Sequence, residues 1–135
     1  FSTVNAMVNT PFFKAGIAGD GNYNRTFTPM GFQNERRLLW EAPNVYLDMS
    51  PFLKANNLTG ALLMYHNMHD QNVGTDPDNS IRLLHALQGL GKTAALYMYP
   101  FEDHGQVAKE TLLDNWARWG AWLDKYVKNP EAKKN

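Results

Sequence analysis

The sequence predicts an α/β fold, a doubly wound and mostly parallel sheet with helices on its faces. Three observations carry this reading. Residues 60–66 and 93–99 are runs of strand length that are apolar almost throughout, the pattern of strands buried on both faces. Each is followed by a polar loop and then by apolar residues at helical spacing. A third short run of small apolar residues, 15–18, follows a helical segment, so the order is α-β-excursion-β-α-β-α. That alternation requires crossovers between parallel strands.

Taken in order, residues 1–9 pattern as an amphipathic helix closed by Thr10-Pro11. The strand 15–18 leads into a long connection, 19–33, rich in Gly, Asn, Thr and Pro. A helix is expected over 35–41 and a short turn near 45–49, and Ser50-Pro51 breaks the pattern. After the strand 60–66 and the loop 67–75, Asp76-Pro77 supplies an N-cap and a first-turn proline for a helix ending near Gly91. Its apolar positions are Ile81, Leu84, Leu87 and Leu90, with His85 expected half-buried among them. The strand 93–99 and the loop 100–105 precede a last helix, 107–127. There Leu112, Trp116, Trp119, Leu123 and Val127 form a stripe expected to pack on the sheet, with Trp122 off it. Residues 129–135 are polar and are expected to be a disordered tail.

Composition narrows the function. Thirteen basic residues balance thirteen acidic ones and no basic stripe follows a helix, which argues against nucleic acid and anionic membrane surfaces as partners. Without cysteine, disulfides, thiolate metal sites and a cysteine nucleophile are excluded. Apolar runs fall well short of the roughly 20 residues of a membrane span. A signal peptide, if the full-length protein has one, is expected upstream of Phe1, and the compartment stays open.

The residues that carry chemistry lie just past the strands, where doubly wound sheets collect their sites. Asp70 follows the second strand, 60–66, and His104 the third, 93–99, in the order acid then histidine. A hydrolytic triad needs a nucleophile, a histidine base, and a carboxylate that orients the base. No G-x-S-x-G elbow occurs anywhere in the 135 residues, so the chain is expected to be part of a longer protein, entered just after its nucleophile. The plain alternative for Asp70 is an Asx-turn. His66-x-x-His69-Asp70 carries zinc-type ligands but neither helical spacing nor a zinc signature, so no metal is expected. Asp20 and Asn22, with Tyr23 and Arg25, follow the first strand and are candidates for lining a substrate pocket; the alternative there is a tight glycine turn at Gly19 and Gly21.

Several motifs resemble a known family. Tyr23-Asn24-Arg25-Thr26, Pro29-x-Gly31-Phe32-Gln33-x-Glu35, Leu39-Trp40-Glu41-Ala42, Val45-Tyr46 and Met49-Ser50-Pro51-Phe52 resemble the C-terminal catalytic domain of the prolyl oligopeptidase family of serine peptidases, nearest the branch that includes glutamyl endopeptidases. The resemblance runs from Phe1 to about Lys128. It implies the C-terminal half of an α/β-hydrolase fold over residues 1–128 and a peptide as the substrate of the full-length protein, with no cofactor. Asp70 in His66-Asn67-Met68-His69-Asp70-Gln71-Asn72-x-Gly74-Thr75 then matches the triad acid. His104 in Pro100-Phe101-Glu102-Asp103-His104-Gly105 matches the triad base. The serine, most of the oxyanion hole and the family's β-propeller would all lie upstream, so this chain alone is expected to be inactive.

Similar family members usually carry Arg-Ser-Gly where this chain has Gly19-Asp20-Gly21, replacing a cation near the site with a carboxylate. They also carry Gly-Glu at Asn67-Met68 and His-Glu-Ser at Phe101-Glu102-Asp103. Two other readings stay open: an esterase of the same fold, and a non-catalytic α/β binding module. With few strands and one sheet edge open, self-association or pairing with an N-terminal part of the full-length protein is expected.

Overall fold

The three predicted strands form one parallel sheet in the order β1-β2-β3, with β1 spanning Ala15–Gly19, β2 Ala61–Asn67 and β3 Ala94–Tyr99. Ile17 lies beside Leu63 and Leu63 beside Ala95, which brings the carboxyl ends of all three strands to one edge. The computed structural model describes residues 1–130; of the tail expected over 129–135, residues from 131 on lie outside the described part. Among the described residues, no helix is long and apolar enough to cross a membrane.

Alternation along β2 separates two faces. Leu62 and Met64 join Val4, Met7 and Val8 of α1 (Ser2–Asn9) and Leu83 and Leu87 of α3 (Asp78–Gly89) in one buried cluster. On the other face Tyr65 packs against Trp119 of α4 (Lys109–Leu123), ring centres 5.7 Å apart, and Trp122 Nε1 donates to the Ala61 carbonyl at 3.2 Å. Helices therefore cover both faces, as the apolar strands predict.

Local chemistry sets the element ends. Asp76 starts α3 as predicted, its Oδ1 accepting from Asp78 N at 2.8 Å. Gly91, in the left-handed region at φ 66°, ends it: Lys92 N donates to the Leu87 carbonyl and Gly91 N to that of Gln88. Glu102 accepts from Val107 N and Ala108 N just ahead of α4, and the Val107 N–H holds its carboxyl below the usual range.

Four expectations are corrected. Residues 35–41 are not helical, because their polar groups bond across the excursion instead of along a helix. Glu35 chelates the Arg37 N–H and guanidinium, Leu39 N donates to the Pro29 carbonyl, and Tyr46 Oη donates to that of Arg37. The helix here is the short α2, Pro43–Asp48, at the predicted turn, and a kinked 3₁₀ segment, Pro51–Asn57, follows the proline break. In α3 the buried apolar positions are Leu83 and Leu87, beside buried Asn79 and Ser80, whereas His85 is exposed rather than half-buried. In α4 the buried stripe is turned: Asn115 is buried and Trp119, Trp122 and Tyr126 are half-buried, while Trp116 is 59% exposed. Asn115 and Trp122 fix that phase, because both have hydrogen-bond partners on the sheet side.

Candidate active site

Three loops leave the carboxyl edge of the sheet: 20–25 after β1, 68–75 after β2 and 100–106 after β3. The second and third bring Asp70 and His104 together, with His104 Nδ1 3.0 Å from Asp70 Oδ2. The Asp70 side chain is fully buried and that of His104 is 45% exposed. A carboxylate can only accept here, so Nδ1 is the donor and the imidazole is left with Nε2 as its basic nitrogen. That is the tautomer a general base requires.

Asp70 is held from several sides. Its Oδ1 accepts from Asn72 N at 2.9 Å, and its Oδ2 also accepts from Thr75 Oγ1 at 3.0 Å. The two oxygens thus have different partners: Oδ1 makes a local Asx-turn and Oδ2 faces the histidine. Thr75 Oγ1 lies 3.2 Å from His104 Nδ1 as well, which closes a small ring around the pair.

His66, fully buried at the end of β2, stands behind Asp70 with Nε2 3.4 Å from Oδ2. Asp20, His66 and Asp70 place ligand-type atoms within 4.8 Å of one another. Yet Nε2 donates to the Thr75 carbonyl at 2.7 Å and Nδ1 meets Ser80 Oγ at 2.7 Å. Both ring nitrogens are engaged, so the cluster is built as a hydrogen-bonded support for the acid, and His69 is not part of it.

Of the four candidate pocket residues, Asp20, Asn22 and Arg25 line a cleft of about 400 Å³ together with Phe32, Asn72 and His104. Tyr23 does not: it is fully buried in the core cluster beside Val4 and Met7, and burial pushes its phenol up. The backbone turns it inward, the Tyr23 carbonyl accepting from Phe52 N and its N–H meeting Asn79 Oδ1 of α3. Asn22 Nδ2 donates to the Gly74 carbonyl, pinning the first loop to the acid loop. Asp20 sits in the left-handed region at φ 41°, and the turn at Gly19 admits no side chain because a Cβ there would run into the Tyr65 ring.

Arg25 is 7% exposed, its guanidinium carbon 4.6 Å from the centre of the Phe32 ring. Among the described residues it has no carboxylate partner, and its Nε lacks any hydrogen bond. Desolvation pulls its basicity down. A buried cation left unpaired in a cleft is costly unless an anion completes it.

From sequence Asn72 and Thr75 carry no role, His66 is at most a possible ligand, and Asn67 is only a departure from similar proteins. Asn67 takes its side-chain partners from 36 to 47 residues away and Thr75 meets His104 from 29 away, so spacing held no signal for them, whereas Asn72 bonds Asp70 two residues back.

The prolyl oligopeptidase family model matches residues 2–130. A protein of Oryza sativa subsp. japonica named "probable glutamyl endopeptidase, chloroplastic" is 43% identical over 134 residues, which is 98% of this chain and 14% of that protein. One of the same name in Arabidopsis thaliana is 45% identical over 127 residues, 93% of this chain and 13% of its own length. This chain thus spans about one seventh of those relatives. An acylaminoacyl peptidase solved in complex with Z-Gly-Gly-Phe-chloromethyl ketone superposes on all of this chain and 23% of its own with a TM-score of 0.84 at 21% identity, which shows the α/β-hydrolase fold. With the family's model covering the chain from α1 to beyond α4, the chain belongs to the prolyl oligopeptidase family.

Proposed function

We propose that Asp70 and His104 are the acid and base of a serine peptidase triad whose nucleophile is supplied from another part of the full-length polypeptide. The observation that carries this is the 3.0 Å contact between His104 Nδ1 and a fully buried Asp70 carboxylate at the carboxyl edge of a parallel sheet. In the proposed reaction His104 Nε2 takes the serine hydroxyl proton as the oxygen attacks the peptide carbonyl. The same proton passes to the leaving amine as the C–N bond breaks. Water then repeats the sequence to release the acid and restore the serine, while Asp70 stabilises the imidazolium at each turn.

None of the three serines lines the cleft beside His104: Ser2 is exposed in the first turn of α1. Ser50 Oγ donates to the Tyr46 carbonyl, Ser80 Oγ meets His66, and both are fully buried. The isolated 135-residue chain is therefore proposed to be inactive.

The substrate is proposed to carry an anion into the cleft. The sequence shows a carboxylate near the position where similar proteins carry a cation, but Arg25 brings an unpaired guanidinium to the same cleft. The name of the rice and Arabidopsis relatives, glutamyl endopeptidase, fits such a partner. The test uses the full-length polypeptide. A fluorophosphonate probe is expected to label it, and His104→Ala to lower peptide hydrolysis about 10⁶-fold. Arg25→Gln is expected to lower kcat/KM for a substrate with glutamate before the scissile bond about 100-fold, and for the glutamine analogue only a few-fold. Full activity in His104→Ala overturns the triad; equal losses on both substrates overturn the anion site. Preference for simple esters over peptides would move the assignment to the esterase reading.

A further inference from the structure

We infer that Asn67, with Asp20 as its anchor, is a positioning residue that holds the His104 loop against the Asp70 loop. This rests on the reading of Asp70 and His104 as acid and base.

Asn67 is the last residue of β2 and is fully buried, yet its polar atoms reach Asp20 after β1 and both Asp103 and Gln106 in the loop after β3. Its backbone N–H donates to Asp20 Oδ1 at 2.8 Å and its Nδ2 to Asp20 Oδ2 at 2.9 Å, so the carboxylate at the end of β1 is gripped at both oxygens. The same Nδ2 donates to the carbonyl of Asp103, the residue immediately before His104, at 2.8 Å. Its Oδ1 accepts from Gln106 Nε2 at 3.1 Å, two residues beyond His104. Gln106 Oε1 in turn accepts from the buried Asn115 of α4 at 2.8 Å.

One amide therefore brackets His104 on both sides and refers it to the strand that carries Asp70 three residues later. Backbone bonds reinforce the arrangement, with Met68 N donating to the Tyr99 carbonyl and His69 N to that of Glu102. These fix the start of the two loops, and Gln71 N donates to Asp103 Oδ1 at 2.8 Å on one side of His104; of these contacts, only those of the Asn67 side chain fall on both sides of it. Asn67 touches no reacting group, so its contribution is to place the imidazole within hydrogen-bond reach of Asp70. Small errors in such placement are felt strongly in rate.

The readout is the tautomer of the His104 imidazole in the 135-residue chain, taken from long-range ¹H–¹⁵N correlations with the ring neutral. With Asp70 accepting from Nδ1, the Nδ1–H form dominates. In Asn67→Ala the His104 loop loses its bracket, and the ratio of Nδ1–H to Nε2–H is expected to fall about tenfold. Asp20→Ala and Gln106→Ala each remove one arm of the amide and are expected to give smaller falls in the same direction. They also carry the test if Asn67→Ala does not fold. Asn9→Ala, far from the site on α1, is expected to leave the ratio unchanged. An unaltered His104 tautomer in folded Asn67→Ala, or in both single-arm variants, overturns the inference.

In the full-length polypeptide Asn67→Ala is expected to lower kcat about tenfold with little change in KM. Failure of that polypeptide to take a fluorophosphonate label would remove the catalytic reading and leave the tautomer result standing, so the two failures are separable.

Discussion

Two aspartates that flank the acid–base pair respond to their surroundings in opposite directions. Asp103 Oδ1 accepts from the backbone N–H of Gln71 and of His104, and these bonds hold its carboxyl below the usual carboxylate range. Burial pushes Asp20 up, against the Asn67 N–H that favours its charge, with His66, Asp70 and His104 the charged or titratable groups facing it. A depressed carboxyl adds stability above its unfolded value of about 3.9, and that stability is lost as the pH falls through the folded value. A raised one favours the fold below about 3.9 and loses that contribution as the pH rises through the folded value. Urea midpoints of the wild-type chain and of Asp103→Asn are therefore expected to converge as the pH is lowered below about 4. Against Asp20→Asn the wild type is expected to gain relative stability as the pH falls from 7 towards 4; parallel curves would show that the Asp20 carboxyl is not perturbed. Asp70 and His104 were legible in the sequence because each follows an apolar strand and the family motifs surround them. Asp20, Asn67 and Thr75 were not legible as partners, since their bonds join segments 5 to 47 residues apart.

At the level of elements, strands were easier to read than helix faces. An apolar run such as Leu62-Leu63-Met64 has no phase to mistake when both sides are buried. The last helix does have a phase, and two stripes of the same period compete on it: Leu112, Trp116, Trp119, Leu123, Val127 and Leu112, Asn115, Trp119, Trp122, Tyr126. Apolarity favours the first, but the fold uses the second. Asn115 is satisfied by Gln106, and the indole N–H of Trp122 finds the Ala61 carbonyl at the start of β2. The excursion failed for a related reason, because Glu35 and Glu41 look like helix formers but spend their carboxylates on the backbone N–H groups of Arg37 and Leu38. Substitution separates the two stripes. Trp119→Ala, which strips the Tyr65 face, is expected to cost about 3 kcal/mol in chemical denaturation, and Trp116→Ala to stay within about 0.5 kcal/mol. The reverse order would return α4 to the phase its apolar residues suggest.

β1 and β3 are the two outer strands of the sheet, and among the described residues the edge of β1 and one apolar helix face stand open. The Lys14 carbonyl accepts from Ala61 N and Asp20 N donates to the Tyr65 carbonyl, so residues 15, 17 and 19 of β1 turn their N–H and C=O groups away from β2. The Ile17 carbonyl is taken by Thr3 Oγ1, but the Ile17 N–H has no partner among the described residues. On α4 and beyond it Leu113, Trp116, Leu123 and Val127 are 41–59% exposed along a single face. An unpaired parallel edge is a template for another strand, so we propose that the isolated chain self-associates through β1, and that in the full-length polypeptide an earlier segment occupies this edge. Ile17→Pro removes the outward N–H without touching a bond to β2. In sedimentation equilibrium the wild-type chain is expected to show concentration-dependent association, with Ile17→Pro weakening it about tenfold or more and the pair Trp116→Lys, Leu123→Lys weakening it less. Loss of association only in the lysine pair would place the contact on the helix face, and a wild-type chain that stays monomeric at all concentrations would show that the free edge of β1 is not sticky enough to recruit a strand.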